Sequence, residues 1–140
     1  MILLDTHVVL WLARDHQRIS PRAQKAIQEA RAKEQGLAVS CMTLLEIARL
    51  ASYGQIDLNP DLKTFPFDVE RRFTILPITG RIAIQAFSLP PSYPKDRVDR
   101  VLGATALIED LPLITADKRN SQLPRGSDNL VKPRISKSLE

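Results

Sequence analysis

The sequence predicts a three-layer α/β/α sandwich around a central parallel sheet of four to five strands, and three observations carry that prediction. Short runs of Leu, Ile and Val, such as Ile2-Leu3-Leu4 and Leu37-Ala38-Val39, lack the apolar–polar alternation of a half-solvated strand, so their strands are covered on both faces. Segments with apolar residues at helical spacing separate these runs, and strands joined through helices are parallel. The runs also stop at polar residues, Asp5, Ser40 and Asp117, at the edge where open α/β sheets bind their ligands.

Taken in order, Ile2-Leu3-Leu4 opens the chain in the core, and a short helix follows from His7 to Arg14. Ser20-Pro21 starts a second helix, the serine accepting a free backbone N–H and the proline taking the first position, where no donor is needed. Its apolar face is Ala23, Ala26, Ile27 and Ala30; it runs to about Lys33 and is expected to stop at Gly36. Leu37 to Ser40 is the second strand, and the helix from Met42 to Tyr53 presents Leu44, Ile47, Ala48 and Ala51 on one face before Gly54 stops it. Gln55 to Pro66 reads as a loop or partly helical hairpin, Phe67 to Phe73 as a helix, and Ile75 to Ile78 as the third strand. Thr79 caps a short helix from Arg81 to Phe87. After the Pro90-Pro91-Ser92-Tyr93-Pro94 break, a helix from Val98 to Glu109 carries Val101, Leu102, Thr105, Ala106 and Ile108 as its stripe. Leu111 to Thr115 is the fourth strand, and 118–131 is expected to hold a helical turn and a short edge strand. Residues 1–131 then form one domain, and 132–140 a basic tail too polar to pack, expected to be disordered.

Composition narrows the classes of function. At 140 residues the chain can bury a core without disulfides or structural metal. Cys41 is the only cysteine, which excludes a disulfide framework and a thiolate zinc site and suits a reducing compartment; it reads as a small buried hydrophobe. No apolar run approaches the roughly 18 residues of a membrane span, and no basic flank marks a signal peptide, so the expectation is a cytoplasmic protein without membrane contact. Residues 1–117 hold 14 basic and 14 acidic side chains, so the whole net charge of +4 lies in the last 23 residues. That excess suits a polyanion, by counterion release, and equally a solvated tail.

Four acids occupy four strand or helix junctions: Asp5 ends the first strand, Glu46 lies one turn into the helix after the second, Asp99 opens the helix after the proline break, and Asp117 ends the fourth strand. In a parallel sheet these positions share one edge and are expected to converge. Converging carboxylates repel, and a divalent cation relieves the conflict; an all-oxygen site suits Mg²⁺ or Mn²⁺ better than zinc. Metal held in this way serves phosphodiester hydrolysis by activating water and stabilising phosphoryl charge. Gly-rich phosphate loops, Gly-x-Ser-x-Gly elbows and paired-histidine motifs are absent from the sequence. Each acid also has an ordinary reading: Asp5 and Asp117 as caps, Asp96 with Asp99 as an N-cap and N3 pair. Glu46, flanked by Leu44, Leu45 and Ile47, needs exposure or a partner.

Four stretches together, Met1-Ile2-Leu3-Leu4-Asp5-Thr6-His7, Ser40-x-x-Thr43-x-x-Glu46-Ile47-Ala48, Asp96-x-x-Asp99-Arg100-Val101-Leu102-x-Ala104-Thr105-Ala106-Leu107 and Pro112-Leu113-Ile114-Thr115-Ala116-Asp117, resemble the PIN domain, specifically the VapC-type toxins of prokaryotic toxin–antitoxin pairs. The resemblance runs from Met1 to about Leu130, in the family's order and spacing. It implies an Mg²⁺- or Mn²⁺-dependent endoribonuclease in which Asp5, Glu46, Asp99 and Asp117 are the acidic quartet and Asp96 a further acid. It implies that Thr6, Ser40 and Thr115 are hydroxyl positions supporting the carboxylates, and that the protein is a homodimer whose cognate antitoxin lies across the groove. Two departures leave every acid in place. Arg97 stands where the family often has proline, adding a cation at the groove that either contacts phosphate or shields Asp96, and Leu45 stands where a tryptophan is frequent.

Other positions carry open alternatives. Arg100 pairs with a phosphate or with a neighbouring acid. Trp11 belongs to the core or to a partner surface, and His7 has a packing or surface role because metal activation needs no histidine base. Two rival functions are a catalytically silent PIN-like module that binds RNA or protein, and a phosphatase or phospho-acceptor with Asp5 as acceptor. The intact quartet argues against the first. The lack of a second acid beside Asp5 and of a lysine at a later strand end argues against the second.

Overall fold

The computed structural model describes residues 1–54 and 64–115. Residues 55–63 of the loop expected over Gln55 to Pro66, the end of the fourth strand at Asp117, the helical turn and edge strand over 118–131 and the tail at 132–140 lie outside the described residues.

In chain order the elements are β1 (Ile2–Leu4), α1 (Thr6–Arg14), a single 3-10 turn (His16–Arg18), α2 (Pro21–Ala32), β2 (Leu37–Ser40), α3 (Cys41–Ser52), α4 (Phe65–Arg72), β3 (Thr74–Leu76), α5 (Gly80–Ser88), α6 (Arg97–Ile108) and β4 (Leu113–Ile114). All strand pairs are parallel, in the order β3-β2-β1-β4. Leu3 pairs with Ala38 on one side and with Leu113 on the other. The first strand is therefore an inner one, paired on both sides. The chain builds outward from β1 to β3 and then returns to place β4 on the opposite side of β1, so the order reverses between β1 and β4. Ligands of such sheets bind outside the carboxyl ends of the strands at that reversal.

Successive residues of β1 serve opposite faces. Ile2 and Leu4 join a core built with Val8, Val9, Leu10, Ile27, Ile47, Phe65 and Val69 from α1 to α4. Leu3 faces the other way, into Leu89, Tyr93, Leu102, Ala106 and Leu107 around α6. Helix α5 packs on α6 through Ile82, Ala86, Val101 and Ala104. These are the three expected layers, with four strands among the described residues.

Most helices begin a residue or more before the first apolar contact because a capping residue starts them. Ser20 accepts from the Ala23 N–H at 3.2 Å with Pro21 next to it, and Thr79 accepts from the Ile82 N–H at 3.2 Å. Helix α2 stops earlier than Gly36: it ends at Ala32, and the first residue with left-handed backbone is Glu34, at φ 53°. Gly36 then takes φ 83° to feed β2, where the nearest atom to an added Cβ is 3.7 Å away, so its backbone angle and not crowding calls for glycine. Helix α4 starts at Phe65 and includes Pro66 in its first turn, where the ring is tolerated. Cys41, expected to be buried, is half-buried because it is the first residue of α3. Among the described residues no helix is long and apolar enough to cross a membrane.

Candidate active site

Asp5 sits where β1 runs out, and the ladder holds it there: its N–H donates to the Ile114 carbonyl at 3.0 Å. Its side chain caps α1, one oxygen accepting from the Val8 N–H at 2.9 Å. The other oxygen accepts from the Thr115 hydroxyl at 2.6 Å. Asp5 is only 5 % exposed and Thr115 not at all, and a charge this buried is tolerable when its oxygens are hydrogen-bonded. The cap and the functional reading of Asp5 are thus compatible, because the cap occupies a single oxygen. Strands β1 and β4 bring the pair together at the reversal of strand order. Thr115→Val should lower stability by about 1–3 kcal/mol, since it removes a hydrogen bond to a charged group inside the protein. Urea denaturation would measure this, and an unchanged midpoint would show that the hydroxyl contributes nothing.

The neighbouring strand end is built from hydroxyls. Ser40 caps α3, accepting from the Met42 N–H at 3.1 Å. The Thr6 hydroxyl of α1 donates to the Thr43 hydroxyl of α3 at 3.3 Å, both side chains being buried. The first turns of α1 and α3 are therefore tied together beside Asp5. Glu46 lies in the second turn of α3, and both its oxygens are taken by Arg49, from Nε at 3.0 Å and from the terminal nitrogen at 2.8 Å. The Glu46 side chain is 16 % exposed and that of Arg49 48 %. The hydrogen bond and then the charge of Glu46 raise the Arg49 pKa above its ordinary value, desolvation opposes them, and Asp96 adds a smaller raising effect. Glu46 and Asp96, from α3 and α6, thus both act on one guanidinium.

Helix α6 leads through a short turn into β4, so its C-terminal end lies at the strand's starting edge and its first turn at the opposite, carboxyl edge. Asp96 caps it, accepting from the Asp99 N–H at 3.1 Å. The ordinary helix-start reading therefore holds for Asp96. Asp99 is half-buried in the first turn, and Arg97 is exposed. Arg100 turns to backbone carbonyls. Its guanidinium donates to the carbonyls of Ala86, Leu89 and Tyr93 at 3.1, 3.5 and 3.4 Å. The C-terminal carbonyls of α5 lack helical partners, so Arg100 braces the α5–α6 junction. Tyr93 adds to this brace, its hydroxyl donating to the Asp99 carbonyl at 3.4 Å.

Among the described residues no three His, Cys, Asp or Glu side chains are grouped to hold a metal ion, and the expected convergence of four acids includes one, Asp117, that lies outside them. Glu46 is satisfied by Arg49, Asp96 by its cap, and Asp117 lies outside the described residues. The donors that are present are nevertheless hard oxygens, led by a rigidly held Asp5, and this set fits a hard divalent cation. Three participants carried no role in the sequence reading. Arg49 had a usable signal, its i+3 spacing from Glu46; Thr43 and Tyr93 had none, because their partners come from other elements. Trp11 is half-buried against the core and lies 6.3 Å, centroid to centroid, from the exposed His7 ring.

Comparison with known proteins agrees with this architecture. Ribonuclease VapC22 of Mycobacterium tuberculosis is 34% identical over 118 residues, which covers 84% of this chain and 88% of that protein. The solved VapBC2 of Rickettsia felis, bound to a DNA fragment from its promoter, superposes with a TM-score of 0.66 at 17% identity, over 89% of this chain and 94% of that one. A toxin–antitoxin complex from Klebsiella pneumoniae gives 0.61 at 22%, over 96% and 99%. A family model, the PIN domain, matches residues 2–126, and the chain belongs to the PIN-domain family.

Proposed function

We propose that the protein is a divalent-metal-dependent endoribonuclease, the toxin of a toxin–antitoxin pair, which hydrolyses RNA phosphodiester bonds at the carboxyl edge of its sheet. The observation that carries the proposal is Asp5, a buried carboxylate fixed by two hydrogen bonds at the reversal of strand order. Support comes from the ribonuclease name of the relative at 34% identity, and metal dependence goes with PIN-domain ribonucleases. The toxin role, with an antitoxin as partner, is supported by neighbouring structures solved as toxin–antitoxin complexes. A homodimer remains part of the proposal.

Mg²⁺ or Mn²⁺ would be held by Asp5, Asp99 and Asp117, with Glu46 and Asp96 contributing. Once bound, such an ion supplies an activated water and neutralises charge on the phosphate. The chain's own groups do the rest. Val8 and Thr115 orient the Asp5 carboxylate, the brace from Arg100 and Tyr93 fixes the first turn of α6 under Asp99, and the exposed Arg97 offers a cation to the RNA backbone. Water adds to phosphorus, the bond to one ribose oxygen breaks, and that oxygen leaves with a proton. The net positive charge of residues 118–140 favours a polyanionic substrate.

The test is incubation of the purified protein with a mixed RNA pool in Mg²⁺, in Mn²⁺ or in EDTA. Cleavage is expected with either metal and none with EDTA. Cleavage that survives EDTA overturns the metal mechanism, and no cleavage under any condition favours a silent binding module.

A further inference from the structure

We propose that Arg49 is a resident counter-cation of the acidic edge, held by Glu46 in the metal-free protein and released from it when a divalent cation binds. The inference rests on the metal-dependent reading above and concerns how that metal is admitted.

Both Glu46 oxygens are engaged by one guanidinium at 2.8 and 3.0 Å, a two-pronged geometry that ammonium groups cannot reproduce. Glu46 is mostly buried, so its charge needs a cation close by. Arg49 is half-exposed, so it can turn out into water at small cost once another cation serves Glu46. Glu46 thus meets a cation of the chain's own, which balances its charge while no metal is bound. A metal that uses Glu46 must compete with this pair. Removing the competitor then tightens metal binding, and metal binding loosens Arg49.

The experiment titrates the full chain with Mn²⁺, following free ion by electron paramagnetic resonance, for the wild type, Arg49→Gln, Arg49→Lys and Asp5→Asn. Arg49→Gln should bind Mn²⁺ about two- to fivefold more tightly than the wild type, the range expected when a part-exposed ion pair is lost. Arg49→Lys should lie between the two. In parallel, the Nε–Hε resonance of Arg49 should shift on adding Mg²⁺. Equal or weaker binding by Arg49→Gln, or a resonance unmoved by Mg²⁺ at saturation, overturns the inference. If binding disappears in Asp5→Asn yet is unaffected by Arg49→Gln, the metal-dependent reading stands and this inference alone falls. If no variant binds Mn²⁺, both fall.

Discussion

Asp5→Asn is expected to reduce RNA cleavage by about 10²- to 10³-fold, the equivalent of several kcal/mol of transition-state stabilisation lost with the metal. The substitution is informative because the two structural duties of Asp5 survive it. Asparagine caps helices about as well as aspartate, so the bond from the Val8 N–H is kept. The amide nitrogen faces Thr115, whose hydroxyl can rotate from donor to acceptor. The melting temperature should therefore move little while activity and Mn²⁺ affinity both collapse. Cleavage at the wild-type rate would sink the assignment of Asp5. A large fall in melting temperature together with activity would reassign it as a purely structural cap.

How far the sequence alone reaches can be judged from particular residues. The buried strands were legible because Ile2-Leu3-Leu4 and Leu37-Ala38-Val39 do not alternate, and burial on both faces is a property a single segment can declare. The parallel order followed from the helices between them. Strand lengths were less legible: β4 spans only Leu113–Ile114 although the apolar run begins at Leu111, because pairing with β1 and not hydrophobicity sets its extent. In the site, Asp5 could be found from its place at a strand end, since position along a strand is written in the sequence. The orientation of Glu46 could not, although the demand for a partner was visible. Arg100 looked like a groove cation because it stands beside Asp99. Its acceptors are carbonyls at the end of α5 and in the following loop, brought to it by tertiary packing that no local pattern encodes.

The rigidity attributed to Asp5 has a separate test in the strand beneath it. Leu4 is fully buried in the inner strand β1, paired with Ile114 and enclosed by residues from α1 to α4. Leu4→Ala should destabilise the protein by about 3–5 kcal/mol, the cost of lost burial plus the cavity left in a core that can only partly close. Against a typical total of about 5–15 kcal/mol, such a loss lowers the urea midpoint far enough to be measured easily. Leu4→Met, which nearly conserves volume, should cost less than about 1.5 kcal/mol. By contrast, Ile84→Ala on the exposed face of α5 should stay within about 0.5 kcal/mol. Activity then separates two uses of the burial. If the strand only keeps the protein folded, Leu4→Ala at low temperature, where it is fully folded, should cleave RNA at the wild-type rate. If the strand holds Asp5 in place, the folded variant should still lose activity and Mn²⁺ affinity together, because a cavity one residue before the proposed metal ligand lets the carboxylate wander from its partners.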